Sequence, residues 1–136
     1  MVDPERLRRL LQAVTDRVNE LGPYAEDPEG LLDDKVRLGY VKYTLQTALE
    51  ACIDAAQHVC ASEGWGAPSD NADAMLILAR HGALDEELAT RMAAAVRFRN
   101  VLVHLYEKVD DRRAVENLEH LDVLERFVEE LSTLIE

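Results

Sequence analysis

Aromatic residues, cysteines and long apolar runs are all scarce in this chain of 136 residues. Only 5% of the residues are aromatic, two are cysteine, six are glycine and four are proline. No apolar run approaches the roughly 18 to 20 residues that cross a bilayer, and the start is charged from Asp3 onward, without the apolar region of a signal peptide. We therefore expect a soluble, cytoplasmic protein that has no contact with a membrane.

The two cysteines do not suit a disulfide or a metal site. Cys52 and Cys60 are eight residues apart on one predicted helix, which separates them by about 12 Å, more than a disulfide allows. No CxxC or HxxxH pair supports a metal site. We expect reduced, structural thiols, and neither a metal nor another cofactor.

Basic residues are also in deficit, with 15 Lys and Arg against 27 Asp and Glu and a net charge of −12. This balance argues against a nucleic-acid-binding protein, whose footprint is usually basic. The charge is unevenly distributed, however. Residues 88–109 contain Arg91, Arg97, Arg99 and Lys108 against the single acid Glu107. A basic segment therefore interrupts an acidic chain.

Helix-forming residues dominate what remains. The chain is 48% apolar and 31% charged, a mixture that favours helices packed on helices, and its length fits a single domain spanning residues 1–136. No strand pattern or internal repeat interrupts the helical periodicity. We predict an all-α, up-and-down bundle of four or five helices. The expected helices cover Pro4 to Leu21, Leu31 to Ser62, a short stretch from about residue 71 to Gly82, a fourth from Asp85 and a fifth from Asp111 to Ile135.

The fourth predicted helix carries most of the reactive side chains within ten residues, 97–106. On an ideal helix Arg97, Asn100 and His104 share one stripe, while Arg99 is offset from His104 by about 140°. Arg99 can join the others if the helix turns or ends near His104, or if a second copy of the stripe faces the first in a homodimer. The ten residues are Arg97-Phe98-Arg99-Asn100-Val101-Leu102-Val103-His104-Leu105-Tyr106.

An arginine and a histidine in one cleft are suited to metal-free cleavage of RNA. Imidazole can move a proton, and guanidinium can hold the phosphate and its developing charge. RNA supplies its own nucleophile, the 2′-hydroxyl, so the chemistry requires no serine, cysteine or metal. The sparse set of reactive residues is therefore compatible with an endoribonuclease.

Residues 99–106 resemble the R-x4-H-x-Y signature of the HepT-like toxins of the HEPN superfamily, with Asn100 in its usual place after the arginine. The long helix that contains residues 50–58, the turn at residues 65–68 and the final helix after Asp110 look like the same family, so the resemblance covers nearly the whole chain.

The resemblance implies a metal-independent endoribonuclease toxin of a type VII-like toxin–antitoxin system, acting as a homodimer on RNA. It implies that Arg99 and His104 are catalytic and that Asn100 supports them. It also implies a cognate MntA-like nucleotidyltransferase antitoxin that silences the toxin by adding AMP to Tyr106. Arg97 matches no position of the signature, and a supporting role for it rests on the stripe alone.

Other interpretations of the same residues stay open. The chain could be a non-catalytic HEPN module that binds nucleotide or docks a nucleotidyltransferase, or a plain dimerisation bundle. Tyr106 could be a packing residue, and the two arginines could pair with glutamates of the last helix. Among the other aromatic residues, we expect Tyr40 and Tyr43 in the core and Trp65 at the end of the bundle.

Overall fold

The computed structural model describes residues 1–104 and 111–136, and within these ranges all regular structure is helical. The all-α prediction is therefore confirmed. Helices of ten residues or more number five in the described ranges, in agreement with a bundle of four or five. The α-helices are α1 (Pro4–Leu21), α2 (Pro28–Leu32), α3 (Lys35–Glu63), α4 (Asn71–Arg80), α5 (Glu86–Val103), α6 (Asp111–Glu116) and α7 (Leu121–Ser132), with 3₁₀ turns at Gly22–Glu26, Asn117–His120 and Thr133–Ile135.

Aspartate side chains cap the start of five of these helices. Asp3 accepts hydrogen bonds from the backbone N–H groups of residues 5 and 6 at the start of α1. One such bond is accepted at the start of each of α2, α3, α4 and α5, by Asp27, Asp34, Asp70 and Asp85. Each carboxylate satisfies N–H groups that have no partner within the helix. Gly64 ends α3 with a φ of 71°, a left-handed conformation that costs glycine little.

Two predicted boundaries were wrong. The residues between Leu21 and Leu31 were left outside the predicted helices, but Pro28 is the first residue of α2 and Asp27 caps it. The long helix does not begin at Leu31, because a turn at Asp33 separates α2 from α3 and Asp34 starts a new helix there. The last predicted helix is likewise divided into α6 and α7 by the 3₁₀ turn Asn117–His120.

Helix α3 is the central element of the bundle. It packs on α1, α4 and α5, while α5 also packs on α4 and α7, and α1 packs on α7. Small side chains line its buried faces, which lets the neighbouring helices approach closely; they include Ala48, Ala51, Ala55 and Ala56. The chain's longest helix therefore positions the motif-bearing α5.

The two cysteines lie in this core as free thiols, as expected. Burial raises the pKa of both Cys52 and Cys60 above the usual thiol value, and the nearby carboxylate of Asp73 adds to the effect at Cys60. Both side chains are therefore kept in the neutral form, which is poorly nucleophilic.

The aromatic residues follow the predictions only in part. Trp65 packs half-buried against the core at the end of α3 and stacks on His81, with ring centroids 4.5 Å apart. Tyr40 and Tyr43, expected in the core, are instead 43% and 62% exposed on α3. Among the described residues, no helix is both long enough and apolar enough to span a membrane.

Candidate functional site

Arg99 is held between α5 and α3 by an ion pair. Its Nη2 lies 3.3 Å from Oε1 of Glu50, and Gln46 donates a hydrogen bond of 2.9 Å to the same oxygen. The Arg99 and Glu50 side chains are 29% and 36% exposed, so the pair lies at the edge of the packed interface. The guanidinium is therefore fixed by α3 and still reaches solvent.

Asn100 contacts Arg99 from the motif itself. The Nη1 of Arg99 donates to Oδ1 of Asn100 at 3.5 Å, while Nε of Arg99 is enclosed without a hydrogen-bond partner among the described residues. A guanidinium has five N–H donors, so donors remain on Nη1 and Nη2 for an anionic ligand. Asn100 therefore contacts the arginine, and its supporting role stays a prediction.

His104 lies where α5 ends. Its backbone leaves helical geometry, with φ −91° and ψ 49°, and its N–H donates to the carbonyl of Val101 at 3.3 Å. The residue is exposed. An end of the helix near His104 is one of the two arrangements that allow Arg99 to join the stripe, and the described structure has it. The direction of the imidazole therefore differs from the direction that a continuous ideal helix would give it.

Arg97 lies apart from Arg99. It is exposed and, together with Asn100, lines a small cavity of about 190 Å³ against Asp70 and Asn71 at the start of α4. The structure thus brings Arg97 and Asn100 together, while Arg99 points to α3. The alternative in which Arg99 pairs with glutamates of the last helix is wrong, since its partner is Glu50.

Tyr106, the predicted modification site, lies outside the described residues, as does the predicted break at 108–110. Among the described residues, no group of three or more His, Cys, Asp or Glu side chains is placed to hold a metal ion.

Glu50 is a site residue that the sequence interpretation missed. It belongs to the helical series Val36, Tyr40, Tyr43 and Thr47, which continues to residue 50 at spacings of three and four. The series alone does not indicate an ion-pair partner for this carboxylate. The partner itself is 49 residues away, beyond what local periodicity can identify.

The fold and the site together define a small helical protein with an oriented arginine and a histidine at one helix end. The family model described as Ribonuclease HepT-like matches residues 7–131, and the chain therefore belongs to that family. The resemblance inferred from the motif is confirmed, and the family carries the name of a ribonuclease.

Two relatives carry nuclease names. The mRNA nuclease HepT of Shewanella oneidensis is 30% identical over 86 residues, which cover 62% of this chain and 65% of the nuclease, slightly less than two thirds of its length. A protein of Archaeoglobus fulgidus, described as a candidate RNase, is 24% identical over 133 residues, or 97% of this chain and 95% of that protein.

Solved structures of toxin–antitoxin complexes share the fold. One contains a tri-AMPylated HEPN toxin of Shewanella oneidensis in complex with an MNT antitoxin; its matching chain has a TM-score of 0.86 and 23% identity, covering 98% of this chain and 99% of that one. A toxin–antitoxin structure with AMP-PNP gives a TM-score of 0.84 at 23% identity, covering 96% and 99%. These likenesses confirm a HEPN-like fold.

We expect Glu50→Gln to change the free energy of unfolding by less than about 1 kcal/mol, because both partners of the ion pair reach solvent and exposed pairs contribute little. Urea titration followed by circular dichroism measures this. Glu20→Gln, which removes the Glu20–Arg17 pair of similar exposure, is the matched control. A loss of several kcal/mol for Glu50→Gln alone would show that the pair supports the fold and not just the direction of Arg99.

Proposed function

We propose that this chain is a metal-independent endoribonuclease toxin of a type VII-like toxin–antitoxin system, in which Arg99 and His104 are the catalytic residues. The observation that carries the proposal is an arginine oriented from two sides, by Glu50 and Asn100, in the last turns of a helix that ends at His104. A side chain fixed by its neighbours in this way is ready to bind a phosphate without further ordering.

The reaction uses groups that RNA and this site supply. One imidazole accepts the proton of the 2′-hydroxyl, whose oxygen forms a bond to phosphorus while the bond from phosphorus to the 5′-oxygen breaks. A protonated imidazole gives its proton to that leaving oxygen. The Arg99 guanidinium holds the phosphate and offsets the charge that develops on it.

A homodimer would supply the second imidazole for this reaction. On α3, Val36, Tyr40 and Tyr43 form one exposed face, and Val36 is 84% exposed. The same helical series continues to Glu50, the partner of Arg99. Two such faces packed together would bury the exposed aromatic rings and bring the Arg99–Glu50 pairs of both protomers towards a shared cleft.

Regulation by an MntA-like nucleotidyltransferase is the second part of the proposal. Its support is the family membership together with the solved complex in which a HEPN toxin of the same fold carries AMP groups and binds an MNT antitoxin. Tyr106 is two residues from His104 in the sequence. AMP added there would introduce negative charge and bulk next to the phosphate-binding arginine, and would therefore oppose RNA binding.

A non-catalytic module that binds nucleotide or docks a nucleotidyltransferase is the second candidate. The net charge of −12 favours it, because RNA affinity depends largely on cationic contacts to phosphate. The basic segment around Arg99 is the opposing observation.

We expect purified protein to cut RNA in the presence of EDTA, and both His104→Ala and Arg99→Ala to lower the cleavage rate about 10²-fold or more, since each removes a group that acts on the reacting phosphate. Gel analysis of a labelled RNA measures the rate. His81→Ala and Arg9→Ala, which remove exposed residues outside the motif, should leave it unchanged. Cleavage that persists in His104→Ala, or that requires a divalent metal, would contradict the mechanism, and tight antitoxin binding without RNA turnover would favour the second candidate.

The dimer proposal predicts that the wild-type protein is a dimer and that Tyr43→Glu is a monomer, because a charge cannot be buried cheaply in an apolar interface. Light scattering after size-exclusion chromatography gives the mass. Gln12→Glu adds the same charge to an exposed position of α1 and should remain dimeric. A monomeric wild type, or a dimeric Tyr43→Glu, would exclude this face as the interface.

Co-expression with a cognate MntA-like nucleotidyltransferase should increase the intact mass of the protein by one or more AMP units and abolish RNA cleavage. Mass spectrometry of the purified protein and its peptides checks this. Tyr106→Phe should prevent the increase, and Tyr40→Phe should not. An unchanged mass, or AMP retained in Tyr106→Phe, would refute modification at Tyr106.

A further inference from the structure

We propose that a second cavity, distinct from the Arg99–His104 site, binds a nucleoside phosphate unit of the RNA beside the cut. This cavity lies between helices α3, α5, α6 and α7 and the 3₁₀ turn Asn117–His120. Its volume is about 340 Å³. We name it the arginine cavity after Arg91 and Arg113 on its rim. The assignment of RNA as the ligand rests on the proposed ribonuclease function. The existence and the charge of the cavity do not depend on that function.

The walls of the arginine cavity are apolar. Leu45 and Leu49 of α3 line one side, and Phe98 of α5, only 5% exposed, lines another. A volume of this size lies within the range of small-ligand sites, which combine apolar walls with a few polar groups. The walls therefore suit a flat, weakly polar group such as a nucleobase.

The rim is cationic and has no acidic residue. Neither Arg91 nor Arg113 forms an ion pair with a carboxylate in the described ranges, although acids outnumber bases 27 to 15 in the chain. Nη2 of Arg91 instead lies 3.5 Å from Nδ1 of His120, and the Arg113 guanidinium lies 5.2 Å from the centroid of the Phe98 ring. Two arginines with no acidic partner among the described residues, both at one apolar cavity, indicate an anionic ligand.

A nucleoside phosphate satisfies both halves of the cavity. Its phosphate can receive hydrogen bonds from Arg91 and Arg113, while its base contacts the apolar walls or stacks on the guanidinium plane of Arg113. A phosphate alone would leave the apolar walls without a partner, and an apolar ligand would leave both arginines without one. The combination therefore selects the ligand class.

The position of the arginine cavity connects it to the Arg99 site. Phe98 and Leu49 line the cavity, and the next residue on each helix, Arg99 and Glu50, forms the ion pair described above. Ala95 also lines the cavity and lies four residues, about 6 Å along the helix, before Arg99. An RNA strand with its reacting phosphate on Arg99 could therefore place a neighbouring nucleotide in the cavity.

The test uses the full-length His104→Ala protein, which should hold RNA without cutting it, and two probes, a fluorescein-labelled single-stranded RNA 12-mer and AMP. We expect Arg91→Met and Arg113→Met each to weaken binding of the 12-mer by about tenfold, as the loss of one charge-assisted contact predicts. Arg9→Met removes the same charge from α1, which does not line the cavity, and should bind as before. Thermal melting checks that all three variants fold.

The two probes separate the sources of the ligand. If Arg91→Met and Arg113→Met bind the 12-mer more weakly, the cavity is an RNA subsite. If they lose affinity for AMP but bind the 12-mer as before, the cavity does not take part in RNA recognition. Equal affinities of all variants for both probes would overturn the cavity as a nucleotide site. In a catalytically intact background, an unchanged KM for RNA in Arg91→Met would refute the inference and leave the proposed function standing. If the wild type cuts no RNA at all, the proposed function fails, and the AMP titration still tests the cavity.

Discussion

The packing of α5 against α3 determines where the motif can act. Because alanines line the buried faces of α3, α5 lies close enough for Arg99 to reach Glu50. A long arginine side chain loses conformational entropy when it is held in one direction, and here its neighbours impose that loss during folding. The guanidinium is consequently oriented before any ligand arrives, and donors on Nη1 and Nη2 remain for a phosphate.

The end of α5 is the second constraint. On a continuous helix Arg99 and His104 would point in different directions, whereas the described backbone leaves helical geometry at His104. Within the described residues, Glu50 of α3 supports Arg99, and His104 lies where α5 ends. An arginine held in this way beside an imidazole at the helix end suits a site that holds a phosphate while protons move at it.

Local signals account for what the sequence predicted correctly. The bounds of α1 were predicted as Pro4 to Leu21 because Asp3 and Pro4 start a helix and Gly22 and Pro23 end it, and the structure has the same bounds. Arg99, Asn100 and His104 could be proposed as site residues because the motif is contiguous, and their roles stay predictions. The division between α2 and α3 was missed because Asp33 and Asp34 have no helix-breaking neighbour, and only the capping bond of Asp34 shows the new start.

Long-range relations account for the rest. Helical periodicity placed Tyr40 and Tyr43 on one face but could not say whether another element of the same chain covers that face. It likewise could not show that Glu50 meets Arg99, or that Arg91 and Arg113, on different helices, share the rim of one cavity. These relations depend on how α3, α5, α6 and α7 pack, which no single helix encodes.

The chemistry of the cut RNA ends tests the central claim most directly, because it reports which oxygen attacked phosphorus. Mass spectrometry of the fragments from a defined RNA in EDTA should show a 2′,3′-cyclic phosphate, or its hydrolysis product, on one fragment and a 5′-hydroxyl on the other. A substrate with a single 2′-deoxy nucleotide at the cut should then resist cleavage there. Fragments with a 5′-phosphate, or cutting at the 2′-deoxy position, would contradict attack by the 2′-hydroxyl and with it the roles assigned to Arg99 and His104.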